Sequence, residues 1–102
     1  MQYVPMQWDD LRYVLAVARA GSALRAASAL GVNQTTVLRR LDALEVALGT
    51  PVFERSTSGQ VLTRVGRLVA EVAERMDEQA RGLDSAIAAQ RRLQPRPGSF
   101  PT

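Results

Sequence analysis

The sequence predicts a mainly α-helical fold: a winged helix-turn-helix with a short β-hairpin wing and one long C-terminal helix. Three observations carry this. Gly21 to Leu48 holds two helical patterns joined by a break too short to be a loop. Two runs of strand type, Pro51 to Arg55 and Gln60 to Thr63, flank the polar turn Ser56-Thr57-Ser58-Gly59. Val65, Val69, Val72, Met76, Ala80, Leu83 and Ile87 then follow at the unbroken spacing 4-3-4-4-3-4, an apolar stripe at helical period.

Composition bounds what such a chain can do. At 102 residues with 46% hydrophobic content it is one ordered domain with a modest core, which a dimer interface would extend. It has no histidine and no cysteine, which removes zinc fingers, cysteine nucleophiles and imidazole catalysis together. No carboxylate pair sits in a catalytic pattern, so we expect neither an enzyme, nor a bound metal, nor a cofactor. No apolar run reaches the roughly 18 residues of a membrane span and no signal peptide opens the chain; the expected compartment is the cytoplasm.

Net charge is +3, and its placement says more than its total. Between Leu11 and Arg67 eight arginines face three acids, whereas from Leu68 onward five face five. The positive excess therefore coincides with the helix-turn-helix, as a phosphate-binding surface requires. All thirteen basic residues are arginine, for which a GC-rich coding sequence is the simplest account.

The first helix opens at Trp8-Asp9-Asp10, with Asp9 the expected N-cap and Trp8 and Tyr13 placed for a hydrophobic staple. Leu11, Val14, Leu15 and Ala18 form its apolar face, and Gly21 ends it. Trp8 and Tyr13 read as core residues rather than ligand contacts. The next helix, from about Leu24 to Leu30, is rich in alanine and admits close neighbours. Gly31 supplies the positive φ of a tight turn, and Asn33 is the expected N-cap of the helix that follows. Ala27, Gly31 and Val37 are the expected packing positions of the turn, with Leu30 and Val32 beside them. Val37, Leu41, Leu44 and Leu48 form the buried stripe of that second helix. Its other face carries Gln34, Thr35, Leu38 and Arg39, where a helix-turn-helix reads base edges in the major groove.

Gly49 and Pro51 stop that helix. The hairpin after it is a wing, whose one positive charge, Arg55, is either a nucleic-acid contact or a salt-bridge partner of Glu54 or Glu45. Thr63 caps the final helix, expected from Arg64 to about Arg92 and roughly 40 Å long. Its first half can pack on the helix-turn-helix, and its second half projects beyond. The economical cover for the projecting stripe is the same helix of a second copy, with a further domain as the other candidate. Arg64 in the first turn opposes the helix dipole unless an anion sits there. Gly66 reads as a close-packing position. The boundaries are thus 1–63 for the winged helix-turn-helix, 64–93 for the linker and dimerisation helix, and 94–102 for a proline-rich flexible tail.

In this order the segments WDDLRYVLAVARAGS, GVNQTTV, LDALEVALGTPVFER and LTRVG resemble the N-terminal DNA-binding domain of LysR-type transcriptional regulators. The resemblance spans roughly Met6 to Leu93. It implies sequence-specific binding of operator DNA by a homodimer joined through the linker helix, with tetramers possible in a full-length protein. It implies base contacts from Gln34, Thr35, Leu38 and Arg39, and backbone contacts from Ser22, Arg25, Asn33, Thr36, Arg55 and Arg64. The dimer helix would present Val69, Val72, Met76, Ala80, Leu83 and Ile87.

Three positions depart from the family pattern. Leu38 stands where serine is usual and would offer an apolar contact, such as to a thymine methyl. Thr35 replaces a common proline, and Ser58-Gly59 sit at wing-tip positions that are usually basic. The family also carries an effector-binding domain of periplasmic-binding-protein type after the linker helix, so the chain is expected to be a fragment of a longer regulator, with a free-standing DNA-binding dimer as the other reading. Two further readings are a winged-helix protein-interaction module and the LysR-like DNA-binding domain of a molybdate-responsive regulator.

Overall fold

The computed structural model describes residues 7–57 and 59–93. In chain order these form α1 (Trp8–Ala20), α2 (Ala23–Leu30), α3 (Gln34–Leu48), β1 (Phe53–Ser56), β2 (Gly59–Leu62) and α4 (Arg64–Leu93). The expectations for the first six residues, for Ser58 and for the proline-rich tail lie outside the described residues.

The start of α1 differs from the expected one. Its N-cap is Gln7, whose backbone N–H donates to Asp10 Oδ2 at 3.3 Å. Asp9 lies inside the first turn and pairs with Arg12 at 3.3 Å. With the cap moved, the staple positions fall elsewhere, and Trp8 and Tyr13 are half-buried against the core. At the next boundary Ser22 caps α2, its Oγ accepting from the backbone N–H of Arg25 at 3.1 Å. Asn33 takes the N-cap position of α3, but its side chain makes no capping hydrogen bond.

The core lies where α1, α2 and α3 meet. Leu11, Val14, Leu15 and Val17 of α1 pack with Ala23, Ala26 and Ala27 of α2 and with Val37, Leu41 and Leu44 of α3. Alanines on the buried face of α2 let the flanking helices close in, so a two-turn helix suffices. Gly31, expected among the packing positions, is instead exposed, with open space where a Cβ would stand. Its φ of +72° is what the turn requires of it.

The two strands pair antiparallel in the register Phe53↔Leu62, Glu54↔Val61, Arg55↔Gln60 and Ser56↔Gly59. Relative to the expected runs, both strands move toward the tip. Val52 is fully buried and precedes the hairpin, and Thr63 leaves it to cap α4. The Thr63 hydroxyl donates to the Pro51 carbonyl at 2.8 Å while its oxygen accepts from the Gly66 N–H at 3.0 Å. One side chain thus joins the hairpin's base to the helix start. Gly66 sits so close to Val52 that a Cβ there would collide with the Val52 carbonyl oxygen. Its role is close approach, as expected.

α4 meets the core through Gly66, Val69 and Ala73. Two hydrogen bonds from Arg19 of α1, to Glu74 at 2.6 Å and Asp77 at 3.2 Å, add a polar tie. From Glu78 to Leu93 every residue is exposed. The stripe from Val72 onward therefore follows a line beside the packing face rather than the face itself. Val72, Met76, Leu83 and Ile87 are 40%, 39%, 60% and 44% exposed.

Candidate nucleic-acid interface

The start of α3 presents its expected polar face outward. Gln34, Thr35 and Arg39 are exposed, and Thr36 and Leu38 are half-buried. Because Asn33 does not cap the helix with its side chain, its amide makes no hydrogen bond with a described residue and remains available to a ligand. Ser22 is partly committed: its oxygen accepts from the Arg25 N–H to cap α2, and its hydroxyl proton is still free to donate.

Seven of the region's eight arginines divide into two sets, and the eighth, Arg67, is exposed and donates to the Leu62 carbonyl at 3.5 Å. Arg12, Arg19 and Arg40 are held by carboxylates of the protein. Arg25, Arg39, Arg55 and Arg64 are exposed and make no ion pair with a described residue. Each stands at or near an outer edge: the first turn of α2, the second turn of α3, the wing and the first turn of α4. Four uncompensated guanidiniums of this kind are suited to phosphates and base edges, since arginine binds both bidentately.

Arg39 and Arg40 are adjacent in sequence but opposite in use. Arg40 folds back on α1, 5.5 Å over the Tyr13 ring and 3.5 Å from Asp10 Oδ1. Consecutive helix residues are about 100° apart, so holding one inward turns the other outward.

The wing is fixed by two side-chain acceptors that sequence reasoning missed. Glu45, near the end of α3, accepts the backbone N–H of Val52 at 2.7 Å and of Phe53 at 3.3 Å. Its carboxylate therefore serves the entry to β1, and neither Glu45 nor Glu54 pairs with Arg55, which removes the salt-bridge reading of that arginine. Gln60 of β2 accepts the Ala23 N–H at 3.0 Å, reaching the first residue of α2. Neither bond has a periodic signature; the signal was at most a polar residue on an otherwise inward-facing strand position. Between α3 and the wing lies a small crevice, about 90 Å³, where Leu38 meets Phe53, Arg55 and Gln60. The crevice thus brings Leu38, Arg55 and Gln60 together, and Gln60 alone of these also reaches the start of α2.

Among the described residues no group of three or more acidic side chains is arranged to hold a metal ion, and no helix is long and apolar enough to cross a membrane.

A winged helix-turn-helix with an uncommitted, arginine-bearing recognition face is the class of protein these features define. Residues 8–67 match the family of bacterial regulatory helix-turn-helix proteins of the lysR type, and the chain belongs to that family. It is 39% identical over 87 residues to the Mau operon transcriptional activator of Paracoccus denitrificans, covering 85% of this chain and 31% of that protein. With the transcriptional regulator TcbR of Pseudomonas sp. strain P51 it shares 41% over 87 residues, covering 84% of this chain and 30% of the regulator. The chain therefore spans about a third of the length of these relatives. Among solved structures it resembles the DNA-binding domain of CbnR in complex with DNA, with a TM-score of 0.70 and 41% identity over 83% of this chain and 99% of that one. The BenM DNA-binding domain on its benA site gives the same TM-score of 0.70, at 26% identity over 87% of this chain and all of that one.

Proposed function

We propose that this chain is the DNA-binding and dimerisation module of a LysR-type transcriptional regulator, acting in the cytoplasm with no catalytic role. Each protomer lays the start of α3 in a major groove, and a two-fold dimer joined along α4 reads two half-sites on one face of the duplex. The observation that carries this reading is the division of the arginines. Arg39 on the outer face of α3, with Arg25, Arg55 and Arg64 on the neighbouring elements, is exposed and has no ion pair among the described residues, whereas Arg40 on the same helix is tied to Asp10 of α1.

In this reading Gln34, Thr35 and Arg39 read base edges, and Leu38 offers an apolar contact of the kind a thymine methyl accepts. Ser22, Arg25, Asn33, Thr36, Arg55 and Arg64 hold the backbone and set the register. Val69, Val72, Met76, Ala80, Leu83 and Ile87 form the dimer seam; Val69 also serves the core. The relatives are about three times as long, and in this reading the signal is sensed, and dimers assemble into tetramers, in a regulator of that length.

An operator is first selected from a random-sequence duplex library. Arg39→Ala then weakens binding to the selected site by about 1–3 kcal/mol and relaxes preference at one base pair. Arg25→Ala weakens all sequences alike and makes the salt dependence shallower. Equal loss on selected and random DNA for Arg39→Ala removes its reading role. No retardation of any duplex by a verified dimer removes the proposal.

A further inference from the structure

The wing is docked onto the turn between α1 and α2 by a contact that no general feature of a hairpin explains. Gln60 reaches across from β2, and its Oε1 accepts the N–H of Ala23, the first residue of α2. That donor is one of the orphan N–H groups of a helix start, of which the Ser22 hydroxyl satisfies another. Beside it the backbones close up: a Cβ on Gly59 would stand 2.5 Å from the Gly21 carbonyl oxygen. Gly59 and Gln60 therefore form one patch seated on Gly21 to Ala23.

Gln60 is also the cross-strand partner of Arg55. Directly opposed residues of an antiparallel pair project from the same face, about 5 Å apart at Cβ. Both accordingly line the crevice beside Leu38. The Gln60 side chain is half-buried, whereas Arg55 is exposed and has no ion-pair partner among the described residues. One member of the pair is tied to the helix-turn-helix; the other is left for a ligand.

We propose that Gln60 is a positioning residue: through its hydrogen bond to Ala23 it fixes the wing against the first turn of α2, so that Arg55 and the Ser22–Arg25 turn meet the DNA backbone at a set spacing. This rests on the reading of Arg55 as a backbone contact. Without the bond the hairpin is still held at its base by Glu45 and Thr63, while the end that carries Arg55 keeps only the close approach of Gly59 to Gly21, which leaves it freer to shift. A guanidinium on a shifting support loses its phosphate even though its own charge is unchanged.

The experiment is a double-mutant cycle on the dimer, read as the slope of log affinity against log salt for a random-sequence duplex about three helical turns long. A random duplex suffices because phosphate contacts are indifferent to sequence. Arg55→Ala flattens the slope by about 0.9 for each protomer bound. Gln60→Met keeps the side-chain length and removes the acceptor; it flattens the slope by a similar amount, and adding Arg55→Ala to it changes nothing further. Should Gln60→Met fail to fold, Ala23→Pro removes the donor of the same bond at the helix position where proline is best tolerated, and the same cycle applies. If Arg55→Ala flattens the slope equally with and without the bond, Gln60 does not position it and the proposal falls, with the role of Arg55 intact. If Arg55→Ala leaves the wild-type slope unchanged, the backbone reading of Arg55 falls first and takes the proposal with it.

Discussion

α3 and α4 carry apolar residues at the same helical period, and they end in opposite situations. On α3 the stripe Val37, Leu41 and Leu44 is 0%, 5% and 1% exposed, because α1 and α2 fold across it. On α4 the stripe is covered at Val65 in part and at Val69, and its members from Val72 onward are exposed. A helical period states that a surface must be covered and says nothing about what covers it. Topology decides: the chain turns back over α3, and nothing described turns back over the far end of α4. The pattern on α4 thus asks for cover that the described residues do not supply, in the same code as the pattern on α3.

The largest expected effect separates these two kinds of cover. Leu44→Ala on α3 leaves a cavity in the domain's own core and lowers stability by about 2–5 kcal/mol, seen as a fall in the thermal unfolding midpoint at any protein concentration. Leu83→Asp on α4 does the reverse. Helicity and the packing of α1, α2 and α3 survive, while sedimentation shows dimer affinity lowered at least tenfold, about 1.4 kcal/mol or more. A dimer indifferent to Leu83→Asp would place the seam elsewhere and break the comparison.

The smallest effect concerns the joint between the two regions. Arg19 is bound by Glu74 and then by Asp77, and these hydrogen bonds hold its pKa above the usual guanidinium range. A raised pKa stabilises fully at every pH below the unfolded value, so stability shows no dependence on Arg19 titration across the neutral range. Salt is the better probe. All three side chains reach solvent, so Arg19→Ala costs less than about 1 kcal/mol at low ionic strength and still less in high salt. A loss several times larger would mean that α4 hangs on this tie rather than on Gly66, Val69 and Ala73.

Much of this was legible in the residues. Period, glycine stops and the polar turn located four helices and a hairpin, because each depends on neighbours in sequence. What escaped depends on partners far along the chain. The cap of α1 falls on Gln7 rather than Asp9 because Asp10, three residues on, accepts the Gln7 N–H in a capping box, whereas aspartate is the stronger cap by residue type alone. Thr63 was expected as a cap, whereas its second bond to Pro51 was not. Glu45 and Gln60 had no pattern to announce them, since a side chain that accepts a backbone N–H of another element leaves no periodicity behind. For the interface, sequence could nominate Gln34, Thr35, Leu38 and Arg39 by helical face. It could not tell which of the neighbouring arginines were already spoken for by Asp10, Glu74 and Asp77.

The clasp of Arg40 on Tyr13 and Asp10 bears on tolerance as well as on assignment. A helix lying in a groove can roll about its own axis, and side-chain tips about 6 Å from that axis travel about 2 Å for every 20° of roll. A hydrogen bond to a base edge accepts only about half an ångström of error in length. The buried packing of Val37, Leu41 and Leu44 sets the angular phase of α3, and the half-exposed Arg40 pair adds a weak tie to α1 beside it. A substitution that shifted this packing would rotate Gln34, Thr35 and Arg39 together with the helix.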